Sequence, residues 1–384
     1  MYMYELKSYC RMSADEVRLQ AYSKSLEKVI KPDSVVLDLG AGAGFFAVLA
    51  CKLGARKVYA IEYNDTIELG PQLAAANGCS DRIEFIQDLS TRVNLPEKVD
   101  VIVSDLRGSS PLYFGSVASL IDARERFLKP GGIMIQQRDT IFAALVEAFD
   151  VYDKNVTSLI ETRAEVDQSM YRKFLCNQLI KGRVERTALL TEPQIWATLH
   201  YPTISSPHVT AELRWKALHD GTAHGLSLWF EAELGIDADA RVSTAPFEPE
   251  RIWGTPFFAL QEPIALVAGD EITVNLSARL VDKEYVWRWD TRVIGGDSAV
   301  KADFKQSTFY GEIISLSHMR KQAATFVPAL TEEGQINAFI LAQMNGQTSL
   351  QAIAKRLSEQ FPLLFPTWEK AMKSVGDVAG KFSQ

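Results

Sequence analysis

Three glycines at alternate positions follow an acid near the end of an apolar run, in Val35-Val36-Leu37-Asp38-Leu39-Gly40-Ala41-Gly42-Ala43-Gly44. Residues of these types in this order suit the binding of a nucleoside. A buried strand stops, the chain turns with no Cβ in the way, and the helix that starts there offers unpaired N–H groups to an anionic group. A second acid, Glu62, closes the next apolar run, Val58-Tyr59-Ala60-Ile61, where a carboxylate accepts from ribose hydroxyls. Gly-x-Gly alone also marks nicotinamide and flavin sites. Two details favour S-adenosylmethionine: Asp38 lies inside the strand, and the spacing is Gly-x-Gly-x-Gly rather than Gly-x-Gly-x-x-Gly. A glycine turn that merely packs helix on strand accounts for the glycines but not for the two acids.

The elements that must hold these residues can be read from the hydrophobic pattern. Val17, Tyr22, Leu26, Val29 and Ile30 form a helical stripe over residues 13–30, opened by a capping box of Ser13 with Glu16. Strands are expected at 35–39, 58–62, 83–87, 99–104 and 132–136, with helices at 45–53, 66–77 and 116–127. Turns are expected at Lys31-Pro32-Asp33 and Lys129-Pro130-Gly131-Gly132. This alternation predicts a mostly parallel, Rossmann-type sheet over residues 1–145, with ligands at the carboxyl ends of its strands. Gly40, Glu62 and Asp105 all fall there. Ser90 and Thr91, after the third strand, are placed to reach an adenine.

Residues 146–186 read as irregular and partly helical. From 187 to 320 the period becomes two, in Glu212-Leu213-Arg214-Trp215-Lys216, Leu226-Ser227-Leu228-Trp229-Phe230-Glu231, Ile272-Thr273-Val274-Asn275-Leu276 and Tyr285-Val286-Trp287-Arg288-Trp289. These predict antiparallel, half-buried strands in a barrel or sandwich. A polar link leads to a small helical domain over 325–384, with a turn at Asn345-Gly346.

Composition bounds the function class. The 384 residues are 47% hydrophobic and 23% charged, as in an ordinary globular chain. A net charge of −7 argues against a nucleic-acid partner, which needs clustered Lys and Arg. No run of apolar residues is long enough to span a membrane, and the opening Met1–Lys7 lacks the basic flank and apolar core of a signal peptide. Cys10, Cys51, Cys79 and Cys176 are scattered, and the five histidines form no His-x-x-x-His pair. No metal is expected, and reduced thiols in the cytoplasm are.

Residues 10–315 resemble a protein arginine methyltransferase. The resemblance runs through Met12-Ser13-Ala14-Asp15-Glu16-Val17-Arg18, the glycine turn, Gly54-Ala55-Arg56-Lys57-Val58 and Ser104-Asp105-Leu106-Arg107-Gly108. It continues through Val242-Ser243-Thr244-Ala245-Pro246 to Trp253. It implies a Rossmann-type domain followed by a β-barrel, an arm over 146–186 that builds a head-to-tail homodimer, and Arg18 paired with the carboxylate of the methyl donor. It also implies an acceptor at the loop after the fourth strand, with Asp105 binding it and Trp253 as a barrel-side wall.

Three positions depart from the family pattern. Asp105 stands where the first clamp glutamate belongs, Phe114 where the second belongs, and Arg251-Ile252-Trp253 replaces Thr-His-Trp. Glu248 and Glu250 either supply a replacement carboxylate or lie in a solvated loop. Arg107 has three readings: it neutralises Asp105, binds an acidic group on the acceptor, or faces solvent. Gln343 to Ala354 resembles the helix–turn–helix of winged-helix elements that hold leader peptides. The expected activity is methyl transfer to a nitrogen or oxygen of a peptide, protein or small molecule. The alternative is a catalytically degenerate scaffold that binds the donor and a peptide.

Overall fold

The computed structural model describes residues 6–236 and 240–383. Met1–Glu5, part of the opening read for a leader, and Gln384 lie outside them. The chain divides into two units, Met1–Ile313 and Ile314–Gln384.

The first unit opens with α1 (Leu6–Ala14) and α2 (Glu16–Val29). The expected single helix is broken because Asp15, not Ser13, is the cap: its side chain accepts from the Arg18 N–H, while the Ser13 hydroxyl donates to the Cys10 carbonyl. The buried face of α2 is Arg18, Ala21, Tyr22, Ser25, Leu26 and Val29, a regular helical stripe. The stripe therefore starts at Arg18, and Val17 is exposed.

A parallel sheet follows, built from β1 (Val35–Leu39), β2 (Lys57–Glu62), β3 (Ile83–Gln87), β4 (Val99–Ser104) and β5 (Leu128–Ile135) in the order β3-β2-β1-β4-β5. Between them run α3 (Phe45–Lys52), α4 (Gly70–Ala76) and α5 (Ser116–Phe127). Every residue of β1 is buried, as a central parallel strand with both faces covered requires. The strand order reverses at β1 and β4, so the crevice between their carboxyl ends is where a ligand can enter the sheet. Lys129-Pro130-Gly131-Gly132 is not a free turn. It lies within β5, and the sheet absorbs it as a register shift opposite Val99 to Val101, with Gly131 at φ 77°.

The parallel sheet ends at Ile135, earlier than the sequence boundary at 145. β6 (Arg138–Val146) already belongs to an antiparallel sheet with β7 (Leu179–Lys181), β8 (Gln194–His200), β10 (Gly221–Glu233), β11 (Arg241–Ser243) and β12 (Pro256–Leu266). A second antiparallel sheet joins β9 (Val209–Lys216), β13 (Glu271–Val281), β14 (Glu284–Ile294) and β15 (Val300–Ser307). Alternating burial along β13 and β14 is the period-two signature of a sheet covered on one face. One continuous apolar core runs from Tyr22 and Leu37 in the parallel half to Phe258 and Trp289 in the antiparallel half. Residues 146–186 hold α6 (Phe149–Tyr152), one wide turn over Asp153–Thr157, α7 (Arg172–Leu175) and β7, packed through Tyr152, Val156 and Cys176 against Phe257.

The second unit is helical from its start. α8 (Leu316–Gln322) lies in the stretch expected to be a polar link; α9 (Glu332–Gln343), α10 (Leu350–Gln360) and α11 (Trp368–Phe382) follow. Ile340, Ile353, Leu357 and Val375 form its core. Ser349 caps α10 after the Asn345-Gly346 turn, its side chain accepting from the Ala352 N–H. Among its described residues there is no strand, so the helix–turn–helix carries no wing.

Candidate active site

The glycine turn at the end of β1 has the backbone that glycine was expected to supply. Gly40, Gly42 and Gly44 lie at φ 74°, 56° and 84°. The N–H groups of Gly40 and Ala41 donate to the Ile61 carbonyl, at 2.9 and 3.1 Å, which fastens the turn to β2. A Cβ at Gly40 would strike Leu106, one at Gly42 the ring of Tyr9, and one at Gly44 the ring of Phe85. α1 and the loop after β4 therefore lie against the bare backbone in this structure.

The two acids brace this turn from below. Asp38, fully buried on β1, accepts from the Ala47 N–H at 2.8 Å. Burial, more than the nearby Glu62 carboxylate, pushes its pKa up to about 7 despite that hydrogen bond. Glu62, buried at the end of β2, accepts from the Gly42 N–H at 3.1 Å through one oxygen and from the Asn64 N–H at 3.0 Å through the other. A carboxylate oxygen that accepts one backbone donor has a further lone pair for a hydroxyl. Positive-φ backbone, a buried carboxylate beside it and a nearby guanidinium fit a nucleoside that carries an amino-acid end. Ser90 is half-buried and Thr91 exposed, in the loop after β3, beside the strand that ends in Glu62. Arg126 ties that loop down by donating to the Ser90 and Val93 carbonyls.

The raised Asp38 value carries a pH prediction. A carboxyl with a raised folded pKa stabilises the fold while protonated. That contribution is complete below the unfolded value near 4 and is lost as pH rises through about 7. Relative to wild type, Asp38→Asn should therefore gain on the order of 2–4 kcal/mol between pH 4 and pH 7. Urea unfolding of both proteins across that range measures the difference; parallel curves would remove the assignment.

On the other side of the crevice the structure joins residues that the sequence left apart. Arg18 donates from Nε to Asp105 Oδ2 at 2.6 Å and from Nη1 to the Met12 carbonyl at 2.9 Å. Its guanidinium packs on the rings of Tyr22 and Phe46. Burial works against its charge, but Asp105 more than offsets this, and its pKa stands above the ordinary arginine value. Arg107 neither faces solvent nor waits for an acidic ligand: it is 4% exposed. It holds Asp139 by a fork of two bonds, Nε to Oδ2 at 2.9 Å and Nη2 to Oδ1 at 2.7 Å. Its Nη1 donates to the Tyr22 hydroxyl at 2.9 Å and to Asp105 Oδ1 at 3.2 Å. Tyr201 donates to Asp139 Oδ2 at 2.6 Å, and Tyr22 donates to the Ser104 carbonyl. Burial raises the pKa of both phenols well above the usual tyrosine value.

Asp105 thus lies between two guanidiniums rather than open to an acceptor. Trp253 walls the same place: its ring lies 5.9 Å from the Arg107 guanidinium and 5.5 Å from Phe230. Phe114, at φ 42°, stacks edge-on to Tyr113. Glu250 is exposed and faces Arg183 at 4.0 Å, so it belongs to the solvated loop. Asp139 and Tyr201 were not singled out from sequence, and Tyr22 only as part of an apolar helix stripe. For Asp139 a signal existed: an acid just ahead of the apolar run Ile141–Val146 in β6, and it is fully buried.

Comparison with known proteins agrees with this architecture. Residues 21–157 match the family model for ribosomal protein L11 methyltransferase (PrmA), and residues 137–290 match the arginine methyltransferase oligomerization subdomain. The chain is 29% identical over 278 residues to protein arginine N-methyltransferase 6 of Danio rerio, covering 69% of this chain and 80% of that protein. It is 26% identical over 274 residues to protein arginine N-methyltransferase 1 of Schizosaccharomyces pombe, covering 70% of this chain and 80% of that protein. Among solved structures, Arabidopsis thaliana protein arginine methyltransferase 10 superposes with a TM-score of 0.69 at 22% identity, covering 79% of this chain and 97% of that one. The Trypanosoma brucei PRMT1 enzyme-prozyme complex with AdoHcy gives 0.67 at 21%, covering 78% and 96%.

Fold and site together define a Rossmann-type methyltransferase whose donor is S-adenosylmethionine. Over 69–70% of its length the chain is similar in sequence to protein arginine N-methyltransferases. Both family models end before the helical unit that starts at Ile314.

Proposed function

We propose that this enzyme methylates a nitrogen of a protein or peptide, with Glu62 holding the donor's ribose, Arg18 its carboxylate, and Ser90 and Thr91 its adenine. The observation that carries the reading is the bare-backbone turn of Gly40 and Gly42 at the β1–β4 switch point, with Glu62 fixed beneath it. A guanidinium matches a carboxylate in shape and charge, which supports the role of Arg18. Tyr9 and Leu106 lie over the glycines, so the donor enters as α1 and the loop after β4 draw aside. Trp253 and Phe230 form the apolar wall of the acceptor side, and Asp105 and Arg107 its polar floor.

The relatives named above are protein arginine N-methyltransferases, which supports a protein or peptide acceptor. The match to an oligomerization subdomain supports a homodimer built through residues 146–186, where Phe149, Leu159, Val166 and Met170 are exposed apolar side chains. Free cysteines, three of them buried, fit the reducing cytoplasm. The C-terminal helices are assigned to hold the acceptor peptide, which raises its effective concentration through chain linkage.

Two measurements test this reading in order. Calorimetry with S-adenosylhomocysteine should give a single saturable site. Tritiated donor with a cell lysate, fractionated by size, should then place label in the protein or peptide fraction. Binding without any label would point to the degenerate scaffold, and label confined to small molecules would overturn the acceptor class.

A further inference from the structure

The acceptor side of the crevice is electrically closed. Arg18 and Arg107 are buried guanidiniums; Asp105 and Asp139 are the buried carboxylates that face them. Every oxygen of the two acids already accepts a hydrogen bond. Asp139 Oδ1 takes Arg107 Nη2, and Oδ2 takes Arg107 Nε and the Tyr201 hydroxyl. Asp105 Oδ2 takes Arg18 Nε and Oδ1 takes Arg107 Nη1. A donor carboxylate that draws on Arg18 still leaves Asp105 held by Arg107 and leaves the fork on Asp139 intact. The chain's own Arg107 therefore occupies the carboxylates and the aromatic wall of Phe230 and Trp253, at 5.6 and 5.9 Å, that an incoming guanidinium would need.

A guanidinium acceptor needs a free carboxylate to localise its charge and take its proton, because it stays protonated at neutral pH. Among the described residues no carboxylate oxygen is buried and unpaired; the charged atoms left without a partner, Arg138 Nε and Arg251 Nε, are cationic, and the rest are neutral. Ser104 Oγ, Gln136 Oε1 and Trp253 Nε1 are buried and have no partner. Ser104 and Gln136 directly follow the register partners Val103 and Ile135, so they stand side by side at the ends of β4 and β5. An uncharged planar ring with one N–H and one lone-pair nitrogen suits this set: a carbonyl or hydroxyl accepts its N–H, and an aromatic wall covers its face.

We infer that Arg107 makes this acceptor pocket select an uncharged nitrogen, the neutral imidazole of a histidine side chain in a protein or peptide, and reject a guanidinium. This rests on the methyltransferase reading above and narrows its acceptor. The chemistry needs no clamp. The imidazole nitrogen forms the new N–C bond with its own lone pair, while the C–S bond of the sulfonium donor breaks and its pair returns to sulfur. The resulting imidazolium then gives its N–H proton to water.

The test uses the full chain saturated with S-adenosylhomocysteine and fluorescent peptides that differ only at a central His, Arg or Lys. Anisotropy should show the His peptide binding at least about ten-fold tighter than the Arg peptide. With tritiated donor, mass spectrometry should locate one methyl on the imidazole and none on arginine. Arg107→Lys should keep the binding ratio, and Arg107→Met should bring it to about one. Methionine leaves Asp139 without its cation and threatens the fold, so the double variant Arg107→Met with Asp139→Asn repeats the measurement with both charges removed. Label on arginine, lysine or an amide, no label on histidine in a peptide digest of the lysate, or a ratio that neither methionine variant moves would each overturn the inference. Loss of S-adenosylhomocysteine binding in the wild type is a separate failure, that of the donor site itself.

Discussion

Asp139→Ala should cost the fold about 3–5 kcal/mol, the range for breaking a buried ion pair by removing one partner. Asp139 is fully buried, and three donors converge on it: two from Arg107 and one from Tyr201. Removing the carboxylate strands a guanidinium that is itself 4% exposed and has only Asp105 Oδ1 and the Tyr22 hydroxyl left. The loss is large because it is the desolvation of an uncompensated charge, not the strength of the lost bonds. It follows that Arg107→Met on the same background should recover a substantial part of it. Urea unfolding followed by tryptophan fluorescence gives both numbers. A midpoint that Asp139→Ala leaves in place would show that this network does not hold the two halves of the first unit together.

That network also explains what the sequence conceals. The strands of the parallel sheet were legible because each is a short apolar run closed by a turn, and 35–39, 83–87 and 99–104 match β1, β3 and β4 to the residue. The glycine turn was legible because its spacing follows from local backbone geometry. Arg18, Asp105 and Arg107 were each visible as charged residues near a strand end or helix start, but their partners were not. Arg18 meets Asp105 across 87 residues, and Arg107 meets Tyr22 across 85. Pairings that distant are set by topology, which local periodicity does not carry. Two element boundaries differ for local reasons. Only Gln136-Gln137 separates β5 from β6, too short a link to mark a domain boundary, and so the sequence places the boundary after β6. The helix expected over 13–30 starts at Glu16 instead, because Asp15 competes with Ser13 for the capping role and only backbone geometry decides which one caps, while α1 before it is not anticipated.

The family's clamp positions show the opposite case, where sequence departures were plain but their consequence was not. Phe114 and Ile252 announce that a carboxylate and a histidine are missing. They do not announce that Arg107 takes the remaining acid. Ile252 keeps a structural link of its own, since its backbone N–H reaches the helix-capping Asp15 at 3.5 Å and ties the barrel loop to α2. The loop with Trp253 is thus positioned from the same residue that starts the helix bearing Arg18 and Tyr22.

Glu62→Ala should lower the affinity for S-adenosylhomocysteine by about 100-fold, close to 3 kcal/mol. Two losses combine. A charged acceptor for the ribose hydroxyls disappears, and charge-assisted hydrogen bonds are the strong ones. The turn also loses its brace, because Glu62 accepts from both the Gly42 and the Asn64 N–H groups. Glu62→Gln separates the two effects. One amide oxygen still accepts from one N–H, but the negative charge is gone, so affinity should fall by only about ten-fold. Neither change touches the Arg107 network, and thermal unfolding of the ligand-free variants should move far less than it does for Asp139→Ala. Calorimetric titration of the folded variants decides the matter. If Glu62→Ala binds the nucleoside as tightly as wild type, the ribose is held by another residue and the crevice between β1 and β4 is not its site.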